Sequence, residues 1–202
     1  MTTLHLAPNL DDYQSTHISK ASLSSILYYI TGHGYGHAVR SSQVIRALRR
    51  TRPSLDIHVR TTAPRWLFPD AVSYSCQSID VGIVQHDSLE MDLAGTLREC
   101  RSLLDDVSRI VEQEVAFIRD HQVALIVGDI PALAFEIAAC AEIPSCAITN
   151  FAWTGIYRAY LPQRPEFAPI INQMAQFYTK ATVLLALPYS FDVDVFPRRE
   201  PI

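Results

Sequence analysis

Tyr29-Ile30-Thr31-Gly32-His33-Gly34-Tyr35-Gly36-His37-Ala38-Val39-Arg40 is the stretch that decides how this chain is read. An apolar run over 26–30 leads into the glycines, and a helical pattern through Val44, Ile45 and Leu48 leads away from them. A glycine-rich turn between a strand and a helix aims backbone N–H groups and a helix N-terminus at an anion. His33 and His37 add side chains that titrate near neutral pH. The stretch therefore marks a ligand site for a phosphorylated or sugar-like molecule.

Gly32, Gly34 and Gly36 are three of the chain's seven glycines. A purely structural tight turn also uses glycine, wherever φ must be positive. Dinucleotide binding requires Gly-x-Gly-x-x-Gly, and the last position is His37, so the spacing fails. The acidic ribose ligand expected after the second strand is replaced by Thr61-Thr62-Ala63. Lack of Gly-Lys-Ser/Thr excludes a Walker loop, and lack of Gly-x-Ser-x-Gly excludes a nucleophile elbow. An NAD-dependent oxidoreductase or an epimerase is disfavoured on the same spacing. His33 and His37 are separated by a turn and lack a third ligand, so no metal site is expected.

Outward from the turn, short apolar runs alternate with amphipathic ones. Strands are expected over 25–30, 55–61, more weakly 74–79, then 123–127, 144–149 and 182–187. Helices are expected over 36–50, 92–121, 132–141 and 166–180, with a short helical turn at 64–68. That alternation predicts an α/β fold with a doubly wound, mostly parallel Rossmann-like sheet, whose loops after successive strands share one ligand-binding edge. Residues 1–24 read as a flexible leader, 25–190 as the domain and 191–202 as a tail without a clear element.

With 202 residues, 49% hydrophobic and 19% charged, the chain suits one globular domain. A net charge of −4 and no basic block argue against a nucleic-acid partner. Arg46, Arg49, Arg50 and Arg52 cluster late in a helix, where cations complement its dipole. No run approaches the ~20 apolar residues of a transmembrane segment. Cys76, Cys100, Cys140 and Cys146 form no Cys-x-x-Cys, and Cys140 and Cys146 read as core residues. With no secretory signal recognised, the expected setting is cytoplasmic.

His37 stands where the helix begins, and the helix dipole favours its neutral imidazole. It serves either as a general base toward a hydroxyl or simply as a helix cap. Asp129 follows a buried strand on the ligand edge, where it orients His37, binds a substrate hydroxyl, or N-caps the next helix. Arg40 pairs either a phosphate or Asp129. Asn150, Phe151, Trp153 and Tyr157 form an aromatic-polar group suited to a sugar or apolar acceptor, or else to core packing. Asp87, Glu90 and Asp92 read as a solvated loop cluster.

Three motifs together resemble a known family. The stretch from Tyr29 to Arg40, Gly128-Asp129-Ile130-Pro131 before an Ala-rich helix, and Thr149-Asn150-Phe151-Ala152-Trp153 through Tyr157 occur in the order seen in GT-B-fold glycosyltransferase-like proteins. The resemblance is in particular to the domain preceding the kinase in L-arabinokinases and to its bacterial stand-alone relatives. It implies the N-terminal, acceptor-side half of an enzyme that moves a sugar from a nucleotide-sugar donor to a hydroxyl acceptor. On that reading His37 is the base and Asp129 its orienting partner. Gly32, His33, Gly34, Gly36, Arg40, Asn150, Phe151, Trp153 and Tyr157 hold substrate or phosphate, and neither metal nor cofactor is needed. The second Rossmann half does not follow within this sequence, so a partner chain or a further C-terminal domain is expected. The competing expectation is a non-catalytic sugar- or nucleotide-binding domain, or an inactive fragment.

Overall fold

The computed structural model describes residues 23–87 and 89–202. The leader expected over 1–24 thus lies almost wholly outside the described residues. Seven strands form one sheet: β1 (Ser25–Ile30), β2 (Asp56–Thr61), β3 (Ser73–Cys76), β4 (Leu125–Asp129), β5 (Ser145–Thr149), β6 (Val183–Ala186) and β7 (Arg199–Pro201). Their order is β3-β2-β1-β4-β5-β6-β7, and every pairing is parallel. Strand order reverses between β1 and β4. That switch point opens a crevice at the carboxyl ends of the strands, where open α/β sheets take ligands.

All six residues of β1 are buried, as its position in the middle of the sheet demands. Leu27 and Tyr29 point to one face and Ile26, Tyr28 and Ile30 to the other, founding two separate cores. Helix α1 (Tyr35–Thr51) buries Ala38, Ser41, Ser42 and Ile45, one stripe at helical spacing, against the second face. Helices α2 (Leu93–Asp105), α3 (Val107–Asp120), α4 (Leu133–Cys140), α5 (Trp153–Arg158) and α6 (Phe167–Tyr178) contribute to the first core. Arg49 and Arg50 do lie in the last turn of α1, and Arg49 also donates to Leu55 O at 2.9 Å.

Four expectations need correction. The single helix over 92–121 is two helices, parted at Asp106 (φ −90°, ψ −3°). The apolar stripe continues across the junction, so periodicity reads through it. Strand β4 extends to Asp129 instead of stopping at 127, because Gly128 is no turn signal. A Cβ there would stand 2.9 Å from the Phe135 ring, so glycine lets α4 pack tightly on the strand. Residues 199–201 form β7, whose one proline, Pro201, is tolerated on an edge strand. Cys140 is exposed at the end of α4, not in the core. The expected solvated cluster holds for Asp87 and Glu90, while Asp92 N-caps α2 by accepting from Gly95 N–H at 2.7 Å.

Candidate functional site

The glycine turn fills the gap between β1 and α1. Gly34 occupies the N-cap position at φ +79°, which only glycine adopts without strain. Gly32 has a different reason: a Cβ there would meet Thr62 Oγ1 at 1.8 Å, so the turn lies directly on the loop after β2. A Cβ on Gly34 or Gly36 would meet nothing within 4 Å, so the outer side of the turn faces open space. The first N–H groups of α1 have no intrahelical acceptor.

Gly34, not His37, sits at the cap of α1, so the helix-cap reading of His37 is set aside. The imidazole turns inward instead, and its Nδ1 lies 2.8 Å from Asp129 Oδ1. Asp129 is fully buried at the end of β4, where its backbone carbonyl accepts Thr31 N–H at 2.8 Å. Its carboxylate is saturated. Arg40 reaches Oδ1 through Nη2 at 2.6 Å and Oδ2 through Nε at 3.2 Å, and Ser41 Oγ donates to Oδ2 at 2.7 Å. The N-cap reading of Asp129 therefore falls: α4 starts after Ala132 with no side-chain cap. Of the two partners offered for Arg40, the structure shows Asp129, with Asn150 Oδ1 a further acceptor at 3.3 Å.

Arg40 Nη2 also lies 3.0 Å from His37 Nδ1, because both converge on the same carboxylate oxygen. A carboxylate facing Nδ1 calls for the hydrogen on Nδ1, which leaves the Nε2 lone pair as the acceptor. The result is an oriented imidazole with 13% of its side chain exposed, backed by a buried carboxylate. Phe151 meets the imidazole edge-on at 5.5 Å.

The other expected residues back this centre from below. His33 stands edge-on to Trp153 at 5.3 Å and so close to Gly82 that a Cβ there would be 2.7 Å away. Burial lowers its pKa, Asp80 opposes that shift and His37 adds to it. Trp153 and Tyr157 are 2% and 0% exposed, and their polar atoms are committed. Trp153 Nε1 donates to Asp80 Oδ2 at 3.0 Å, and Tyr157 OH donates to Gly82 O at 2.6 Å. Both rings thus follow the core-packing alternative and brace the site without presenting a surface to a ligand. Asn150 and Phe151 are half-buried at the crevice.

Sequence reasoning missed Ser41 and Asp80. Ser41 was legible in principle, four residues after His37 on one helix face. In the sequence Asp80 looks like any polar loop residue, yet it is buried and accepts a hydrogen bond from Trp153 Nε1 at 3.0 Å. Burial raises its pKa, and the Trp153 hydrogen bond and the nearby His37 and His33 offset only part of that rise. The folded state therefore holds a proton on Asp80 more firmly than the unfolded chain does. Its ionisation removes stability as pH rises above the unfolded value of 3.8. Asp80→Asn keeps an acceptor for Trp153 and cannot ionise. Its stability relative to the parent, from urea midpoints, is expected to rise from about pH 4 to about pH 7. A difference that stays flat over that range would show that Asp80 ionises as freely in the fold as out of it.

Among the described residues, no group of three or more His, Cys, Asp or Glu side chains is placed to hold a metal ion. No described helix is long and apolar enough to cross a membrane.

The chain is 33% identical over 168 residues to L-arabinokinase of Arabidopsis thaliana, an alignment spanning 80% of this chain and 16% of that protein. Among solved structures it is similar to a UDP-glucosyltransferase from Polygonum tinctorium capable of glucosylating indoxyl. The TM-score there is 0.53 at 11% identity, over 91% of this chain and 53% of that one. It is also similar to a transferase from Siraitia grosvenorii in complex with UDP, with TM-score 0.49 and 14% identity, over 80% and 44% of the two chains. The chain thus spans well under two thirds of each of these relatives, and the seven-stranded parallel sheet is of the Rossmann-like GT-B type. The sequence pattern of glycosyl transferase family 1 matches residues 24–193, and the chain belongs to that family.

Proposed function

We propose that this chain is the acceptor-side half of a glycosyltransferase. The observation that carries the reading is the His37–Asp129 pair at the sheet's switch point. Its Nδ1 is tied at 2.8 Å to a buried carboxylate and its Nε2 is left to take a proton. An acceptor hydroxyl gives its proton to Nε2 as its oxygen attacks the anomeric carbon of a nucleotide-sugar, and the nucleoside diphosphate departs. The open turn at Gly34 and Gly36 faces that diphosphate with its N–H groups. Asn150 and Phe151 border the acceptor. Asp129 acts as a positioning residue, with Arg40 and Ser41 fixing its two oxygens.

The donor's nucleotide needs a second wall, supplied by a partner chain or a C-terminal domain. Support comes from the same edge of the sheet. Tyr35 and Trp66, whose rings lie 6.4 Å apart, follow the ends of β1 and β2, Tyr189 and Phe191 follow the end of β6, and the four are 48–97% exposed. Large apolar side chains gathered on one side of a domain are the mark of a surface that meets another body. The four unpaired cysteines support a reduced, cytoplasmic setting.

The test is transfer from a panel of radiolabelled UDP- and GDP-sugars to hydroxyl acceptors, with the chain alone and mixed with the protein encoded beside it. Label is expected in the acceptor when the second wall is supplied, and nucleotide-sugar binding to be weak without it. Donor binding without transfer, unaffected by His37→Ala, would favour a non-catalytic binding domain. Flat calorimetry for every donor and acceptor would end the proposal.

A further inference from the structure

Away from the crevice, one part of the sheet is covered through titratable groups instead of apolar ones. The strand register sets two rows side by side on that face, Leu27–His58–Ser73 and Tyr29–Arg60–Ser75. Helix α3 lies over them. Its Glu114 is buried, accepts from Tyr29 OH and pairs with Arg60 Nε at 3.3 Å. One turn on, the Phe117 ring carries the Arg60 guanidinium 4.0 Å from its centroid. His121 stacks on the same ring at 3.9 Å, with its Nδ1 3.0 Å from Phe117 O. His58 meets Phe117 and His121 edge-on, at 5.2 and 5.1 Å.

His58 is 8% exposed, and the charges that face it are unfavourable to a proton. Its own strand supplies Arg60, a like charge, and the exposed Asp56. Helix α3 supplies His121, and Glu114 is already committed to Arg60 and Tyr29. Arg119 and Asp120, beside His121, are exposed. From β1 and β3 come Leu27, Tyr29, Ser73 and Ser75, none of them a carboxylate. Burial lowers the His58 pKa, His121 and Arg60 add to that shift, and Asp56 opposes it. The folded state therefore binds this proton less readily than the unfolded chain. Docking of α3 is strongest above the ordinary value of 6.5 and weakens as pH falls through it.

The helix also has a joint at each end. Asp106, at φ −90° and ψ −3°, parts it from α2, and Gln122, at φ +50°, turns the chain toward β4. Ile110 and Ile118 are its apolar hold on the core between those joints.

We propose that α3 is an acid-released latch: protonation of the His58 imidazole lifts the helix from β2, with Asp106 and Gln122 as the hinges. Lifting puts His58 and His121 into water and parts their charges. It also withdraws Glu114 from Tyr29, on the strand that leads into the glycine turn. The latch acts through the fold and does not depend on which reaction the crevice performs.

Hydrogen exchange on the full chain, corrected for the intrinsic pH dependence of amide exchange, reads the opening of α3 against that of α6. Between about pH 7.5 and about pH 5.5 the α3 amides are expected to open roughly tenfold more often, while those of α6 keep their protection. His58→Phe puts a ring that carries no charge in the same place and is expected to abolish the α3 response. His121→Gln alters an exposed residue, removes a like charge facing His58, and is expected to weaken the response. An opening of α3 that stays flat with pH in the parent, or that comes together with α6, overturns the latch. So does a full acid response in His58→Phe. Should that variant not fold, a response in His121→Gln as large as the parent's overturns it.

Discussion

Replacing His37 by Ala is expected to slow sugar transfer by roughly 10²–10⁴-fold, the usual worth of a positioned general base. The fold should survive. The side chain is 13% exposed and stands at the mouth of the crevice, and its removal leaves Asp129 with Arg40 and Ser41 still bound. His37→Gln sharpens the experiment, because its amide N–H can replace Nδ1–H toward Asp129 while offering no basic nitrogen. Both variants should lose kcat with little change in KM, measured as initial rates on the complete donor–acceptor pair. Thermal melts of the variants should overlay that of the parent. A His37→Gln enzyme as fast as the parent would remove proton transfer from the role of this residue.

Asp129→Ala is expected to act on stability first and on activity as a consequence. The carboxylate is fully buried and holds both a guanidinium and an imidazole. Removing one partner of a buried ion pair typically costs about 3–5 kcal/mol, because the other charge is left without compensation. Here Arg40 is the stranded group, with 29% of its side chain exposed, left beside Asn150 Oδ1 at 3.3 Å and His37 Nδ1 at 3.0 Å with no carboxylate to pair. A companion change, Arg40→Met, removes that stranded charge, so the double variant should recover part of the loss. Urea midpoints for the four corners of this cycle give the coupling. If Asp129→Ala and Arg40→Met simply add, the pair does not act as a unit and the carboxylate's role in holding His37 weakens with it.

Much of this was legible because it is local. The strand–turn–helix at 25–51 follows from a short apolar run, a cluster of glycines and a helical stripe, and the structure places β1 at the expected residues. The meeting of His37 with Asp129 came from strand order: both were placed at the carboxyl ends of strands, and β1 and β4 prove to be neighbours. The unread part depends on where side chains point after folding. Trp153 and Tyr157 sit on a six-residue helix, too short for periodicity to tell an inward face from an outward one. Asp80 looks like any loop aspartate until the Trp153 indole is packed over it. Phe191 lies in a stretch that reads as a tail, and its N–H bond to Asn150 O at 2.9 Å, with the contacts of Asp192 to α5, brings it to the crevice. Glu114 is similar: it looks like one more charge on a helix, yet it is buried with Arg60 at 3.3 Å and accepts from Tyr29 OH.

His37 and Asp129 are 92 positions apart along the chain. The two sides of the pair are therefore made at different times during synthesis, and the ribosome delivers the turn and its helix long before the carboxylate that orients the imidazole. Closing so large a loop is entropically slow, and contacts of this range form late in folding. Until β4 slots in beside β1, Arg40 and His37 have no shared anchor. Assembly of the site is thus a timer for the whole domain, and in refolding experiments its appearance should trail the gain of helix.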